Sequence, residues 1–182
     1  ELLVNINSGR SAQDMAIDLQ RFLNDPDHLF RRVRNAAGEL EMSKAMANFK
    51  PGTGVYRSSY KNALRLARTE VNMAYRRAEN ARYQSLPFVV GFEVRLSNAH
   101  PVFDICDELK GKYPVDFVFS GWHPQCLCFT TAILNSKEDY EKLEQAILNG
   151  EPLPEQKHIV EMPESFNKWV ERNKERAGNW KS

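Results

Sequence analysis

The sequence lacks the patterns that define several large classes of protein. No apolar run approaches 18 residues, which argues against a transmembrane helix, and no stretch resembles a signal peptide. The chain has no H-E-x-x-H, no glycine-rich phosphate loop and no G-x-S-x-G motif, and no helix-turn-helix pattern is visible. These absences remove the common zinc proteases, nucleotide-binding enzymes and serine hydrolases.

A strong net charge is also missing. The 182 residues include 25 Lys and Arg against 24 Asp and Glu. The charge is nevertheless uneven, because residues 1–85 carry +5 and residues 86–182 carry −4. A hydrophobic content of 42% predicts a folded core. The chain starts at Glu1 and stops on a charged stretch, and we expect it to be a piece of a longer protein.

Hydrophobic periodicity predicts an α+β fold with a helical N-terminal half. Ser11 is a candidate N-cap, and residues 39–49 suggest a short helix. A long basic helix is predicted from Ser58 or Ser59 to about Gln84. Its predicted apolar stripe comprises Leu64, Ala67, Val71, Ala74, Tyr75 and Ala78.

The following residues predict a small antiparallel β module and then helices. Residues 88–96, 115–119 and 127–133 are rich in β-branched and aromatic side chains, which predicts three strands. Ser136 is expected to open a helix with Tyr140, Leu143 and Ile147 inward and Gly150 at its end, and a last helix is predicted near Pro163. We therefore predict an N-terminal helical arm (1–58), a core (59–135) and a C-terminal helical extension (136–182).

Five residues within a short span are candidate metal ligands. They are His100, Cys106, His123, Cys126 and Cys128. Thiolate and imidazole suit tetrahedral Zn²⁺, and an odd, clustered set of cysteines favours metal or thiol chemistry over disulfides. The three cysteines form the thiolate set, and His123 and His100 compete for the fourth position. Because such a site has no open position, we expect a structural zinc ion.

Other interpretations of these residues stay open. The thiols could be buried and inert, or two of them could form a redox pair. Cys106 could also act as a nucleophile, with His123 as base and Asp104 as acid. The carboxylates on either side of Cys106 oppose this, because they discourage a thiolate unless a metal compensates.

A basic segment is a candidate nucleic-acid surface. Residues 29–82 hold 12 Lys or Arg against 4 Asp or Glu. Arg65, Arg76 and Arg77 are the candidates for phosphate contacts, and binding of this kind would not depend on the DNA sequence. The alternative is a solvated helix face with charge pairs three or four residues apart.

Several of these segments together resemble one family. The shared features are Ala67-Arg68-Thr69-Glu70-Val71-Asn72, Tyr75, the strand at 88–96, Asp104-Ile105-Cys106, Leu109, Gly111 and His123-Pro124-Gln125-Cys126-Leu127-Cys128. This series resembles the phage Mu F-like head-morphogenesis family of minor head proteins. The resemblance covers residues 60–135.

The resemblance implies a non-enzymatic structural component of a phage or prophage head. Such proteins associate with portal and capsid proteins, and with DNA during packaging or ejection, so the expected location is the capsid interior of the virion or the cytoplasm of the bacterial host. No membrane and no small-molecule substrate are expected. The family module also occurs beside toxin or nuclease domains, which leaves an enzymatic alternative using Cys106 or a bound metal.

The resemblance also assigns roles to individual residues. Arg68 and Glu70 are expected to form a pair that docks the helix on the Cys/His knuckle. Many family members have C-x-x-C at the first knuckle, and Phe103 stands where the first of these cysteines would be. His100, three residues earlier, is expected to substitute for it.

Overall fold

The structure, a computed structural model, describes residues 2–22, 32–50, 52, 54–100 and 102–178. It confirms a mixed fold of helices and small antiparallel sheets. Its helices are α1 (Leu2–Asn7), α2 (Ala12–Gln20), α3 (Lys44–Asn48), α4 (Ser59–Ser85), α5 (Ile105–Leu109), α6 (Lys137–Asn149) and α7 (Glu164–Gly178). Its strands are β1 (Arg32–Arg34), β2 (Leu40–Met42), β3 (Val89–Arg95), β4 (Gly111–Tyr113) and β5 (Phe129–Leu134).

The chain divides into two compact units, residues 1–72 (unit 1) and 73–182 (unit 2). The boundary lies inside α4, whereas the sequence suggested boundaries after residues 58 and 135. The residues after 135 belong to unit 2, and two contacts join this part of the chain to the sheet of that unit. Ile159 N donates to Val90 O at 2.8 Å, and the ring of Phe166 lies edge-on to Tyr113 with centroids 5.8 Å apart.

Unit 1 has a small core of aliphatic side chains. As predicted, Ser11 caps α2, since its Oγ accepts a hydrogen bond from Asp14 N at 3.2 Å. Its buried residues are Met15, Ala16, Leu19, Ala63 and Ala67. The helix suggested for residues 39–49 is partly wrong. Residues 40–42 pair with residues 32–34 in an exposed antiparallel hairpin, and only Lys44–Asn48 are helical.

The predicted long helix is confirmed as α4. Ser58 caps it, with its Oγ accepting from Lys61 N at 3.3 Å. The predicted apolar stripe is only partly buried. Ala67 is fully buried, but Tyr75 is 69% exposed because it lies beside an open groove.

The sheet of unit 2 has the order β4-β3-β5, with both pairs antiparallel. The central strand β3 buries Phe92 and Val94 in a core that also contains Tyr113 and Phe119. The three cysteines belong to this same buried cluster. The metal-ligand candidates therefore sit inside an aromatic core.

The strand predicted for residues 115–119 is wrong, and the first edge strand of the sheet is β4. Burial does alternate along this segment as it would in a strand, since Phe119 is buried and Asp116 is exposed. The carbonyl groups, however, do not join a ladder. Asn80 Nδ2 on α4 donates to the carbonyls of Val115 (3.2 Å) and Phe117 (3.0 Å), so the segment is held by side-chain amides.

The capping signals of α6 are confirmed, but two of its three predicted inward residues are not buried. Ser136 caps the start, and Gly150 ends the helix in the left-handed conformation with φ of 67°. Leu143 is buried, whereas Tyr140 and Ile147 are exposed. Among the described helices, none is both long and apolar enough to cross a membrane.

Candidate metal centre

The first arm of the centre is the short helix α5, which places Cys106. Asp104 is the N-cap of this helix, and its carboxylate accepts from Cys106 N at 2.7 Å. Asp107 completes the capping box by accepting from Asp104 N at 3.0 Å. The local sequence thus fixes the cysteine in the first turn, where it is fully buried.

The second arm is the turn that carries His123, Cys126 and Cys128. Cys126 N donates to His123 O at 3.1 Å, which closes the turn. Gln125 adopts a left-handed backbone with φ of 59°, a conformation that a residue other than glycine adopts at a cost. The two cysteines are two residues apart, and both are buried in the same core.

The two arms bring three of the five predicted ligands together, namely Cys106, His123 and Cys126. Cys106 Sγ lies 3.1 Å from His123 Nε2 and 3.7 Å from Cys126 Sγ. One ligand atom from each of these three residues lies within 4.8 Å of the others. The Cys128 thiol neighbours those of Cys126 and Cys106, but Cys128 is not part of this three-residue group. This group of side chains could hold a metal ion.

The ring of His123 is oriented for a ligand role. Its Nδ1 lies 2.8 Å from Pro124 O, a contact that requires a proton on Nδ1. In the neutral ring Nε2 then carries the lone pair, and Nε2 faces Cys106. A ligating histidine typically donates its other ring N–H to a carbonyl in this way.

The same geometry does not match a nucleophile–base–acid triad. In such a triad, the acid contacts the ring nitrogen opposite the one that faces the nucleophile. Here Asp104 Oδ2 lies 3.3 Å from Nε2 of His123, on the nitrogen that also faces Cys106. Pro124, and not a carboxylate, occupies the opposite nitrogen.

His100 occupies a different position from the other four candidates. Its Nε2 lies 2.9 Å from Asp107 Oδ2 and 3.6 Å from Asp104 Oδ1. It forms a second group with Asp104 and Cys106. The backbone N–H of Asp104, together with His100, lowers the pKa of Asp107. Sequence reasoning considered Asp104 only as a catalytic acid, although its oxygens lie beside both histidines.

The three thiols differ in acidity. Burial raises the pKa of Cys106 to about 12. The hydrogen bond with Cys128, with a smaller contribution from the guanidinium of Arg76, lowers the pKa of Cys126 to about 4. The hydrogen bond with Cys126 in turn raises the pKa of Cys128. Of the three thiols, that of Cys126 therefore ionises most readily.

Arg76 on α4 binds the backbone carbonyl groups of the second arm. Its Nη2 donates to Cys126 O at 2.5 Å and to Cys128 O at 2.8 Å, and its Nη1 donates to Ser120 O at 3.2 Å. Its guanidinium carbon lies 5.2 Å from the centroid of the Phe119 ring. Arg76 is only 7% exposed. Its prediction as a DNA contact is therefore wrong, because the charged group points into the protein.

Two further side chains extend this contact along α4. Asn80 holds the carbonyls of Val115 and Phe117, and Gln84 Nε2 donates to Val115 O at 3.2 Å. Residues 76, 80 and 84 share one face of a helix because they are four positions apart. The spacing of these three polar residues could have predicted a contact face of α4, but the sequence analysis considered only the apolar stripe of this helix.

The remaining predicted residues belong to neither group of possible metal ligands among the described residues. Arg65 is half-buried, donates to Gly54 O and lies 6.0 Å from the ring of Tyr56. Arg77 and Arg68 are exposed and Glu70 is half-buried, so the docking role of Arg68 and Glu70 stays a prediction. Of the basic segment, residues 29–31, 51 and 53 lie outside the described residues.

Comparison of the chain with protein-family models, with curated proteins and with solved structures gives no match in any of the three. The Cys/His group is thus the feature from which function has to be argued. Its donors are sulfur and imidazole nitrogen, and its cysteines are almost completely buried. Buried donors of this kind fit a metal that holds structure together.

Proposed function

We propose that this chain is a non-enzymatic module of a phage or prophage minor head protein, in which a structural zinc ion fixes the Cys/His knuckle. The observation that carries the proposal is the approach of His123 Nε2 to within 3.1 Å of Cys106 Sγ while Nδ1 is tied to Pro124 O. The head assignment is supported by the family resemblance of residues 60–135.

Zinc is the metal that these donors favour. Cys106, His123, Cys126 and Cys128 supply three thiolates and one neutral imidazole, which is a common structural ligand set. Zinc keeps its cysteine ligands deprotonated, so with zinc bound the three thiols would no longer differ in ionisation. His100 then serves as a partner of Asp104 and Asp107 outside the ligand set.

The zinc part is tested by elemental analysis of protein purified without added metal, with thiol counting on the same sample. We expect about one zinc per chain and three protected thiols. Cys126→Ser should lose the metal, whereas His100→Gln, which leaves the four ligands in place, should keep it. No metal together with three reactive thiols in the native chain would remove the zinc centre.

The head part is tested by co-expression with the portal and capsid proteins from the same genome. We expect the chain to sediment with assembled portal or capsid proteins and to be found inside the head. Arg77→Glu, an exposed substitution on α4, tests whether DNA contributes, because charge reversal should weaken salt-dependent DNA retention. If the chain sediments separately from the assembled portal and capsid proteins, the head assignment is contradicted.

A further inference from the structure

A buried positive charge on α4 has no carboxylate partner within the described part of the chain. Arg76 is 7% exposed, and none of the ion pairs of the described residues includes it. Its described hydrogen bonds go to three neutral carbonyl groups. An ion removed from water in this way is costly unless an opposite charge lies nearby.

The Cys/His group is a source of negative charge beside this guanidinium. The guanidinium binds the carbonyls of Cys126 and Cys128, the two residues that supply adjacent thiols. Three thiolates and a neutral imidazole around Zn²⁺ leave a net charge of about −1. A single guanidinium therefore brings the buried group to neutrality.

The backbone next to the group leaves room for this guanidinium. Gly121 has φ of 107°, and a Cβ added there would lie 2.6 Å from Arg76 Nη1 and 3.3 Å from Cys126 Cβ. A side chain at this position would force the guanidinium away from the knuckle. The position of the Arg76 guanidinium thus depends on the absence of a side chain at Gly121.

We infer that Arg76 is the charge-compensating partner of the metal centre, a positioning residue that couples zinc binding to the packing of the knuckle on α4. This inference rests on the zinc centre proposed above. It goes beyond that proposal because it makes zinc affinity depend on a residue that is not a ligand. Partners of this outer kind typically change metal affinity by about 10- to 100-fold.

The test measures zinc affinity by competition with a chromophoric chelator in four proteins: native, Arg76→Gln, Arg76→Lys and Asn80→Ala. Arg76→Gln removes the charge, Arg76→Lys keeps it, and Asn80→Ala removes a neutral contact between α4 and the loop at residues 115–117. We expect Arg76→Gln to bind zinc at least about 10-fold more weakly. Arg76→Lys and Asn80→Ala should stay within about threefold of native.

A second measurement separates a role in metal binding from a role in folding. The increase in melting temperature on adding zinc should shrink in Arg76→Gln and persist in Asn80→Ala, because only the former acts through the metal. The charge-transfer bands of the Co²⁺-substituted protein should also shift in Arg76→Gln and not in Asn80→Ala.

Each result decides between the two proposals. If native protein binds no zinc, the metal centre is wrong and this inference falls with it. If native protein binds zinc and Arg76→Gln binds it equally well, or Asn80→Ala weakens it as much, only the role of Arg76 is wrong. Should Arg76→Gln fail to fold, a 10-fold loss in Arg76→Lys overturns the charge role, and native-like affinity supports it.

Discussion

The two units of the chain differ in what they bury. Unit 1 is built on small aliphatic contacts around Met15 and Leu19, and its hairpin is exposed on both strands. Unit 2 encloses a cluster of aromatic rings, with Phe92 and Tyr113 stacked at 6.0 Å between centroids, and three thiols beside them. Both groups of possible metal ligands among the described residues belong to unit 2.

This contrast indicates two different sources of stability. Hydrophobic stabilisation scales with the apolar area removed from water, about 25 cal/mol per Å², so the aromatic core of unit 2 gains more per residue. Unit 2 nevertheless contains buried polar groups that need partners, in particular Arg76 and the thiols. We expect metal removal to affect unit 2 selectively.

The largest expected effect is that of zinc removal on unit 2. Chelation should cost unit 2 at least about 5 kcal/mol, since structural zinc contributes its binding free energy to folding. Hydrogen exchange should show loss of protection in Val89–Arg95 and Phe129–Leu134, with Ala12–Gln20 unchanged. Equal loss of protection in both units would contradict the comparison.

Two glycines with positive φ provide a matched pair of intermediate effect. Gly121→Ala should cost about 3 kcal/mol or more, because the added Cβ meets the guanidinium of Arg76 in addition to the backbone strain. Gly38→Ala, in the turn between β1 and β2 with φ of 80° and open space around it, should cost about 1 kcal/mol. Urea unfolding measures both, and equal costs would show that the contact with Arg76 is not tight.

The smallest expected effects are those of two helix caps. Ser11→Ala in unit 1 and Ser136→Ala in unit 2 should each cost about 1 kcal/mol at pH 7. Ser136 also lowers the pKa of Asp139, so that carboxylate stabilises the folded state above its unfolded pKa, near 4, and less as the pH falls through its folded value. The difference between native and Ser136→Ala should therefore narrow in acid, and a difference independent of pH would contradict this.

The sequence was sufficient where a local rule determines the structure. Ser11 and Ser136 predict helix starts because a side-chain oxygen satisfies a free N–H, and Gly150 predicts an end because it tolerates positive φ. The approach of Cys106 to the Cys126 turn followed from ligand chemistry. These features depend on a few residues each.

Features that depend on partners distant in sequence were missed. The hairpin of Arg32–Arg34 and Leu40–Met42 has too few buried side chains to give a clear pattern. Residues 115–119 have the composition of a strand. The side-chain amide of Asn80, which precedes Val115 by 35 residues, nevertheless donates to the carbonyl of Val115. Arginine is a residue type that usually lies on the surface, and only the fold shows that Arg76 is buried.

The spacing of Arg76, Asn80 and Gln84 has a consequence for how this sequence can change. Each residue of an α-helix turns the following ones by about 100°, so a single insertion between positions 76 and 84 would carry part of this polar face away from the loop that it holds. The same insertion in the hairpin turn at Asn35–Glu39 would only lengthen an exposed connection. We therefore expect length variation among related chains to collect in the turns of unit 1 and to be absent from the middle of α4.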